Sequence, residues 1–223
     1  MNSEKKTFAE KLKTSSLVQA WLVLLLAVSF GISLAGVQLA LGPIIETNKV
    51  NETLERVPEL VLGKDLADKM AAQNQSLEIA AHRVAVDKAG QAKTYSVYEA
   101  RYAGELRGWV IKTKGQGYAD AIELLVGLSP DRKSLTGLFV LDQKETPGLG
   151  NKIVTADWRG QFIGAPTSRA LVVVKSGAAK PGEIDAVTGA TISSNSVTAM
   201  INTAVGDLRQ PLSVMEKGKD DNG

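Results

Sequence analysis

From Leu17 to Leu41 the chain reads LVQAWLVLLLAVSFGISLAGVQLAL, a run without one charged side chain. As an α-helix it is about 37 Å long at 1.5 Å per residue, enough to cross a hydrocarbon layer of roughly 30 Å with some tilt. Trp21 stands near its start, where an indole suits the membrane interface. Gly42-Pro43 predicts the helix end, because proline removes a backbone donor and crowds the preceding turn. The competing reading is a secretory signal peptide, whose apolar core is about 7–15 residues long and ends at a small-x-small junction. This run is longer, and Leu41-Gly42-Pro43 is a poor junction, so it is read as an uncleaved transmembrane helix over 17–41. Lys5, Lys6, Lys11 and Lys13 precede it, whereas Glu46, Glu52, Glu55 and Glu59 follow it. The positive-inside rule then leaves residues 1–16 in the cytoplasm and exports the remainder across the inner (cytoplasmic) membrane.

The periodicity changes twice beyond this helix. From Ile44 to Gln75 apolar and charged residues alternate at roughly helical spacing, interrupted near Pro58 and Gly63, which reads as a stalk or short helices leading away from the bilayer; residues 42–93 are taken as stalk and the start of the exported domain. From Thr94 the texture becomes strand-like. Tyr95–Tyr102 and Leu106–Thr113 flank Ala103-Gly104-Glu105, one expected hairpin. Ala119–Leu128 and Leu135–Leu141 flank a turn-rich segment at 129–134, a second. A short helix is expected over Asp157–Phe162 and a strand over Leu171–Lys175. Val197, Met200, Ile201, Ala204, Val205 and Leu208 then recur at spacings of three and four, which predicts a helix over Ile192–Leu208. Pro211 lies beyond it, and residues 211–223 are expected to form a flexible tail. The mixture implies an α+β domain over 94–210, built on an antiparallel sheet.

Composition narrows the chemistry. The chain has 223 residues, no cysteine and a single histidine, His82. Thiolate-bound clusters, disulfides and thiol nucleophiles are excluded, and imidazole-based metal sites or a Ser-His-Asp triad have almost nothing to be built from. No metal site is expected. Lys plus Arg total 26 against 24 Asp plus Glu, too even a balance for a nucleic-acid-binding face. Trp109 sits in an alternating strand and is expected in the core, and His82 is expected to be exposed or satisfied by a neighbour.

Three glycine-bearing segments carry the candidate chemistry. Asp185-Ala186-Val187-Thr188-Gly189-Ala190-Thr191 leads directly into the last predicted helix. A helix start offers unpaired amides and a partial positive charge to an anion. Gly189 and Ala190 allow close approach, and Thr188, Thr191, Ser193 and Ser194 add hydroxyls. The same residues also describe an N-cap, in which Thr191 or Ser193 accepts the first orphan amide bonds; spacing alone leaves both readings open. Glu145-Thr146-Pro147-Gly148-Leu149-Gly150 and Gly115-Gln116-Gly117-Tyr118 are each equally readable as plain turns.

In this order, GYADAIELLVGL, LDQKETPGLGNKI, DWRGQF and DAVTGATISS resemble the covalent-FMN-binding domain. That domain is shared by the G subunit of the Rnf ion-translocating oxidoreductase complex and the C subunit of the sodium-translocating NADH:quinone reductase. Asp157-Trp158 ahead of Phe162, together with the short tail, is closer to the Rnf protein. The resemblance implies FMN esterified through its phosphate to Thr191 by a separate flavin transferase that uses FAD as donor. Asp185, Thr188, Gly189 and Ala190 would then belong to the sequence read by that transferase. It also implies that the loop of Glu145, Thr146, Gly148, Leu149 and Gly150 lies along the flavin ring, with Tyr118 and Lys175 as further contacts. The implied role is an electron-transfer subunit of a membrane complex that couples ferredoxin–NAD electron transfer to Na+ or H+ movement. Its partners would be the other subunits and membrane lipid, with no nucleic acid. Alternatives are a component like the quinone-reductase protein, an anchored flavin-binding regulatory module, or a non-redox scaffold in which Thr-Gly-Ala-Thr is only a cap.

Overall fold

The computed structural model describes residues 16–88 and 90–220. Lys5, Lys6, Lys11 and Lys13, and residues 221–223 of the expected tail, lie outside the described residues. Strands β1 (Glu78–Lys88), β2 (Gln91–Tyr102), β3 (Glu105–Gln116), β4 (Ala121–Leu128) and β5 (Leu135–Asp142) pair antiparallel in chain order, a simple meander. Ala103 and Gly104 both have positive φ, 51° and 80°. That is the backbone a two-residue hairpin needs to match the twist of its strands, and Tyr102 accordingly pairs with Glu105 across it. After the sheet come a 3-10 turn (Gly150–Val154) and α-helices and strands that close the domain. Apart from the N-terminal helices, these are α3 (Ala156–Gly160), the parallel pair β6 (Val172–Val174) and β7 (Glu183–Asp185), and α4 (Thr191–Asp220).

The sheet has two apolar faces because its central strands alternate in and out with period two. Val97, Trp109, Ile111, Leu124, Val126 and Leu138 form one core with Val197, Ile201, Ala204 and Leu208 of α4. Tyr98, Ala100, Val110 and Leu125 form the other, with Val57, Leu60 and Val61 of the first helix, α1 (Ser16–Leu62). Glycines make room for α1 on this second face. A Cβ on Gly127 would lie 2.6 Å from the carbonyl of Leu60, and one on Gly137 would lie 3.0 Å from Leu60 Cδ2. The two glycines are paired across β4 and β5. On the first face, Asp207 of α4 accepts from Tyr95 Oη at 2.7 Å and from Lys88 Nζ at 2.8 Å, tying the helix to β1 and β2.

Over residues 17–41, α1 leaves its large apolar side chains open, with Trp21 and Phe30 both 70% exposed. A helix of this composition calls for a partner or a lipid phase to cover it.

Four expectations are corrected. The first helix does not end at Gly42-Pro43; it passes Pro43 and Pro58 and stops at Gly63, whose φ of 79° suits a helix end. Proline deletes one backbone bond. Thr47 Oγ1 donates to the Pro43 carbonyl at 2.9 Å, and beyond Pro58 the burial of Leu60 and Val61 holds the turn. A short α2 (Lys64–Ala72) follows. The strands begin at Glu78, upstream of Thr94 where strand texture was expected to start, because β1 is a partly exposed edge strand with a weak apolar pattern. Strand β7 gave no sequence signal because Glu183-Ile184-Asp185 offers one apolar residue between two acids, whereas the equally short β6 is three valines. Finally, α4 continues through Pro211 to Asp220 where a tail was expected, because Leu212, one turn beyond Leu208, is buried beside it.

Candidate functional site

Where the three glycine-bearing segments meet there is a cavity of about 510 Å³, lined by Tyr118, by Glu145, Thr146, Leu149 and Gly150, and by Gly189 to Ser193. Segments far apart in the sequence converge here because one side chain joins them. Glu145 is 4% exposed. Its Oε1 accepts from the amides of Tyr118 at 2.8 Å and Ala119 at 3.2 Å. Its Oε2 accepts from Ser193 Oγ at 2.6 Å.

The glycines around it are required by space. A Cβ on Gly117 would collide with Glu145 Oε1, and one on Gly150 would sit 2.7 Å from Glu145 Oε2 and 2.8 Å from Ser193 Oγ. Gly148 and Gly189 are required by conformation, with φ of 76° and 78°. Leu149 leans over Gly189, where an added Cβ would come within 3.0 Å of Leu149 Cδ2.

At the head of α4 the geometry separates hydroxyls that the sequence presents as equivalent. Ser193 is buried and donates to Glu145. Ser194 is buried, donates to the Ala190 carbonyl at 3.1 Å and accepts from the Val187 amide at 2.9 Å. Thr188 is exposed but does not line the cavity. Thr191 is exposed, lines the cavity and has no hydrogen-bond partner for its hydroxyl among the described residues. The simple capping reading finds no bond: neither Thr191 nor Ser193 accepts an orphan amide. Ser194 N–H donates to the Ala190 carbonyl at 3.1 Å, and the amides before it stand ahead of the helical ladder at the positive end of the dipole.

Among the residues expected at the site, Glu145, Thr146, Leu149, Gly150, Tyr118, Gly189, Ala190 and Thr191 are brought together. Asp185, Thr188, Gly148 and Lys175 are not in the lining. Asp185 lies in β7 and its Oδ1 accepts from the Ala178 amide at 2.8 Å. Lys175 is exposed just beyond β6. Ser193, one of the hydroxyls noted at the helix start, lines the cavity through its bond to Glu145, which no sequence pattern announces; Ile192 lines it and was not expected there. Trp109 is in the core as expected, 1% exposed. Trp158 is also core: it donates from Nε1 to the Asp185 carbonyl at 2.8 Å and meets Phe162 edge-on at 5.1 Å. His82 Nε2 lies 3.2 Å from Glu99 Oε2, on a different part of the sheet.

The residues present suit a mononucleotide with an aromatic ring. The volume falls within the range of small-molecule sites, about 300–1,000 Å³. The amides at the head of α4 that precede the helical ladder, with Gly189 and Ala190 beside them in the lining, fit a phosphate. Tyr118, Leu149 and Ile192, 64%, 45% and 56% exposed, offer apolar surface to a ring.

Fold and site together define a flavin-binding domain, and residues 117–206 match the family model described as "FMN-binding domain". The chain is 36% identical over 167 residues to the G subunit of the Na(+)-translocating ferredoxin:NAD(+) oxidoreductase complex of Acetobacterium woodii, covering 74% of this chain and 77% of that one. It is 38% identical over 103 residues to the G subunit of the ion-translocating oxidoreductase complex of Methanosarcina acetivorans, covering 46% of this chain and 52% of that one. Against the C subunit of the Na(+)-translocating NADH-quinone reductase of Vibrio anguillarum the identity is 29% over 141 residues, covering 60% and 55%. The fold is similar to that of NqrC from Shewanella oneidensis, with a TM-score of 0.60, 17% identity, and 77% of this chain and 99% of that one covered. The chain belongs to the FMN-binding-domain family of which these relatives are members.

Proposed function

We propose that this chain is the flavin-carrying electron-transfer subunit of an ion-translocating oxidoreductase complex of the ferredoxin:NAD type, with FMN joined through its phosphate to Thr191 Oγ1. The observation that carries the assignment is the sorting of hydroxyls at the head of α4: Ser193 and Ser194 are bonded and buried, whereas Thr191 is open to the cavity. Identity of 36% to the ferredoxin:NAD(+) relative, against 29% to the quinone-reductase relative, favours the first of the two.

The FMN, when bound, supplies the ring that takes up and passes on electrons. The chain's own residues hold it. The amides at the head of α4 face the phosphate charge. Gly189 and Ala190 let the backbone approach it, and Leu149 and Ile192 cover apolar ring surface. Thr191 is an anchor and takes no part in turnover. For attachment, a flavin transferase with FAD as donor makes the Oγ1–P bond and breaks the P–O–P bond. AMP leaves and the hydroxyl proton is lost. Asp185 and Thr188 are then read by that transferase from outside the cavity.

Residues 17–41 of α1 span the inner membrane, with residues 1–16 in the cytoplasm and the domain exported. A covalent link keeps one flavin per chain where released FMN would be lost, and the anchor holds it near its partner subunits. The ring as a relay needs no general base and no independent turnover.

Native chain produced with a flavin transferase should give an ultraviolet-fluorescent band that survives denaturation, and a mass higher by one FMN less one water. Thr191→Ala should lose both and Thr191→Ser should keep both. Bound flavin in the alanine variant overturns the assignment.

A further inference from the structure

Glu145 is the single acidic or basic side chain that lines the cavity, and its setting is unusual for a buried acid. It is 4% exposed and has no lysine, arginine or histidine within salt-bridge distance among the described residues. Nearby Lys144 pairs instead with Asp120 at 3.2 Å. A buried carboxylate without a counter-cation is costly unless its lone pairs are filled. Here three donors fill them, two backbone amides and the Ser193 hydroxyl, all to the carboxylate oxygens. Its own amide donates to Gln143 Oε1 at 2.6 Å. Two glycines, Gly117 and Gly150, leave it no space to relax. An isolated structural bond would not need such enclosure, and an apolar side chain would fill the volume at lower cost.

We propose that Glu145 is a positioning residue that clasps the Tyr118–Ala119 turn and the first turn of α4 to the 145–150 loop, and that its fixed negative charge along the cavity wall lowers the reduction potential of the flavin held there. The second part rests on the attachment at Thr191; the clasp does not. The charge opposes the positive end of the α4 dipole, so the site favours a ring that gives electrons up readily. A cation such as Lys175 would raise the potential instead, and the lining contains none. Glutamine at 145 can still accept from the two amides while carrying no charge, which separates the charge from the shape.

Two measurements on the full chain test this. In Glu145→Gln the flavin attached to Thr191 should be more reducible. At a fixed ambient potential the reduced-to-oxidised ratio should rise at least tenfold, which for two electrons is about 30 mV, with the mass added by the attached FMN unchanged. In Glu145→Ala, amide hydrogen exchange at Tyr118 and Ala119 should quicken at least tenfold, and Ser193→Ala should leave those two amides protected. An unshifted potential in the glutamine variant overturns the charge role. Unchanged exchange at both amides in the alanine variant overturns the clasp, and should that variant fail to fold, the same exchange read in Glu145→Leu decides it. If wild-type chain matured with a transferase carries no flavin, the attachment reading fails, while the exchange data still judge the clasp.

Discussion

Two carboxylates with the same chemistry do different things here because their surroundings differ. Glu145 is satisfied by uncharged donors, whereas Asp207 is held by Lys88 and Tyr95. Burial on its own pushes the Asp207 carboxyl up, but the bonds from Lys88 and Tyr95 outweigh it and leave it below the usual carboxylate range. The same contact, with burial the larger cause, drives the Tyr95 phenol well above its ordinary value, so it stays a donor. A depressed carboxyl stabilises the fold above its unfolded value, and that contribution fades as pH falls through the folded value. The pin is therefore complete from about pH 5 upward and fades progressively as pH falls below the usual carboxylate range. Asp207→Asn should be destabilised by about 1.5–3 kcal/mol near neutrality, the range for a bond to a charged group. The difference from wild type should shrink toward pH 3, as read by thermal unfolding across pH. A gap that is constant with pH would show that the charge does not matter. Residue by residue, the convergence was legible where it depends on backbone: Gly150 and Gly189, singled out by type and order, both stand in the cavity lining. The roles of Glu145 and Ser193 were not, because a contact between residues this far apart leaves no local pattern.

The elements show where local signals mislead. Proline in a helix interior costs about 3 kcal/mol, and each of Pro43, Pro58 and Pro211 was a reasonable stop signal. Burying a Val or Leu side chain contributes about 1.5–3 kcal/mol, and Val57, Leu60 and Val61 are all buried around Pro58. Tertiary packing there outweighs the lost bond. Pro43 has no such packing; there the helix continues with Thr47 Oγ1 donating to the Pro43 carbonyl at 2.9 Å. Pro211 offers a test of the same balance. If Leu212 were in a tail, truncating it would be silent. As a residue 1% exposed in the main core, Leu212→Ala should cost about 2–5 kcal/mol, measured by denaturant unfolding of the detergent-solubilised chain. The strands were more legible than the helix ends, since alternation along β2 to β5 marks both faces of a sheet that is covered on both sides. Strand β1, at the edge, lacks that pressure and its pattern blends into the segment before it.

At the scale of the whole molecule, the proposed function needs the cavity and the lysine-rich N-terminus to lie on opposite sides of a bilayer. Nothing in the domain's own packing demands this. The proposed orientation rests on charge: lysines cluster before Leu17 and glutamates after Leu41, the asymmetry that the positive-inside rule reads. The chain's lack of cysteine allows a clean measurement, because any introduced thiol is the sole target of a maleimide. Lys180 is on the domain surface, its side chain 81% exposed, and lies outside the cavity lining. In sealed, right-side-out vesicles, Lys180→Cys should react fully with a membrane-impermeant maleimide, while Lys11→Cys should react only after detergent is added. The reverse pattern would put the flavin in the cytoplasm. There a covalent link would no longer be needed to prevent its loss to the exterior, and the reason advanced for the ester at Thr191 would fail with it.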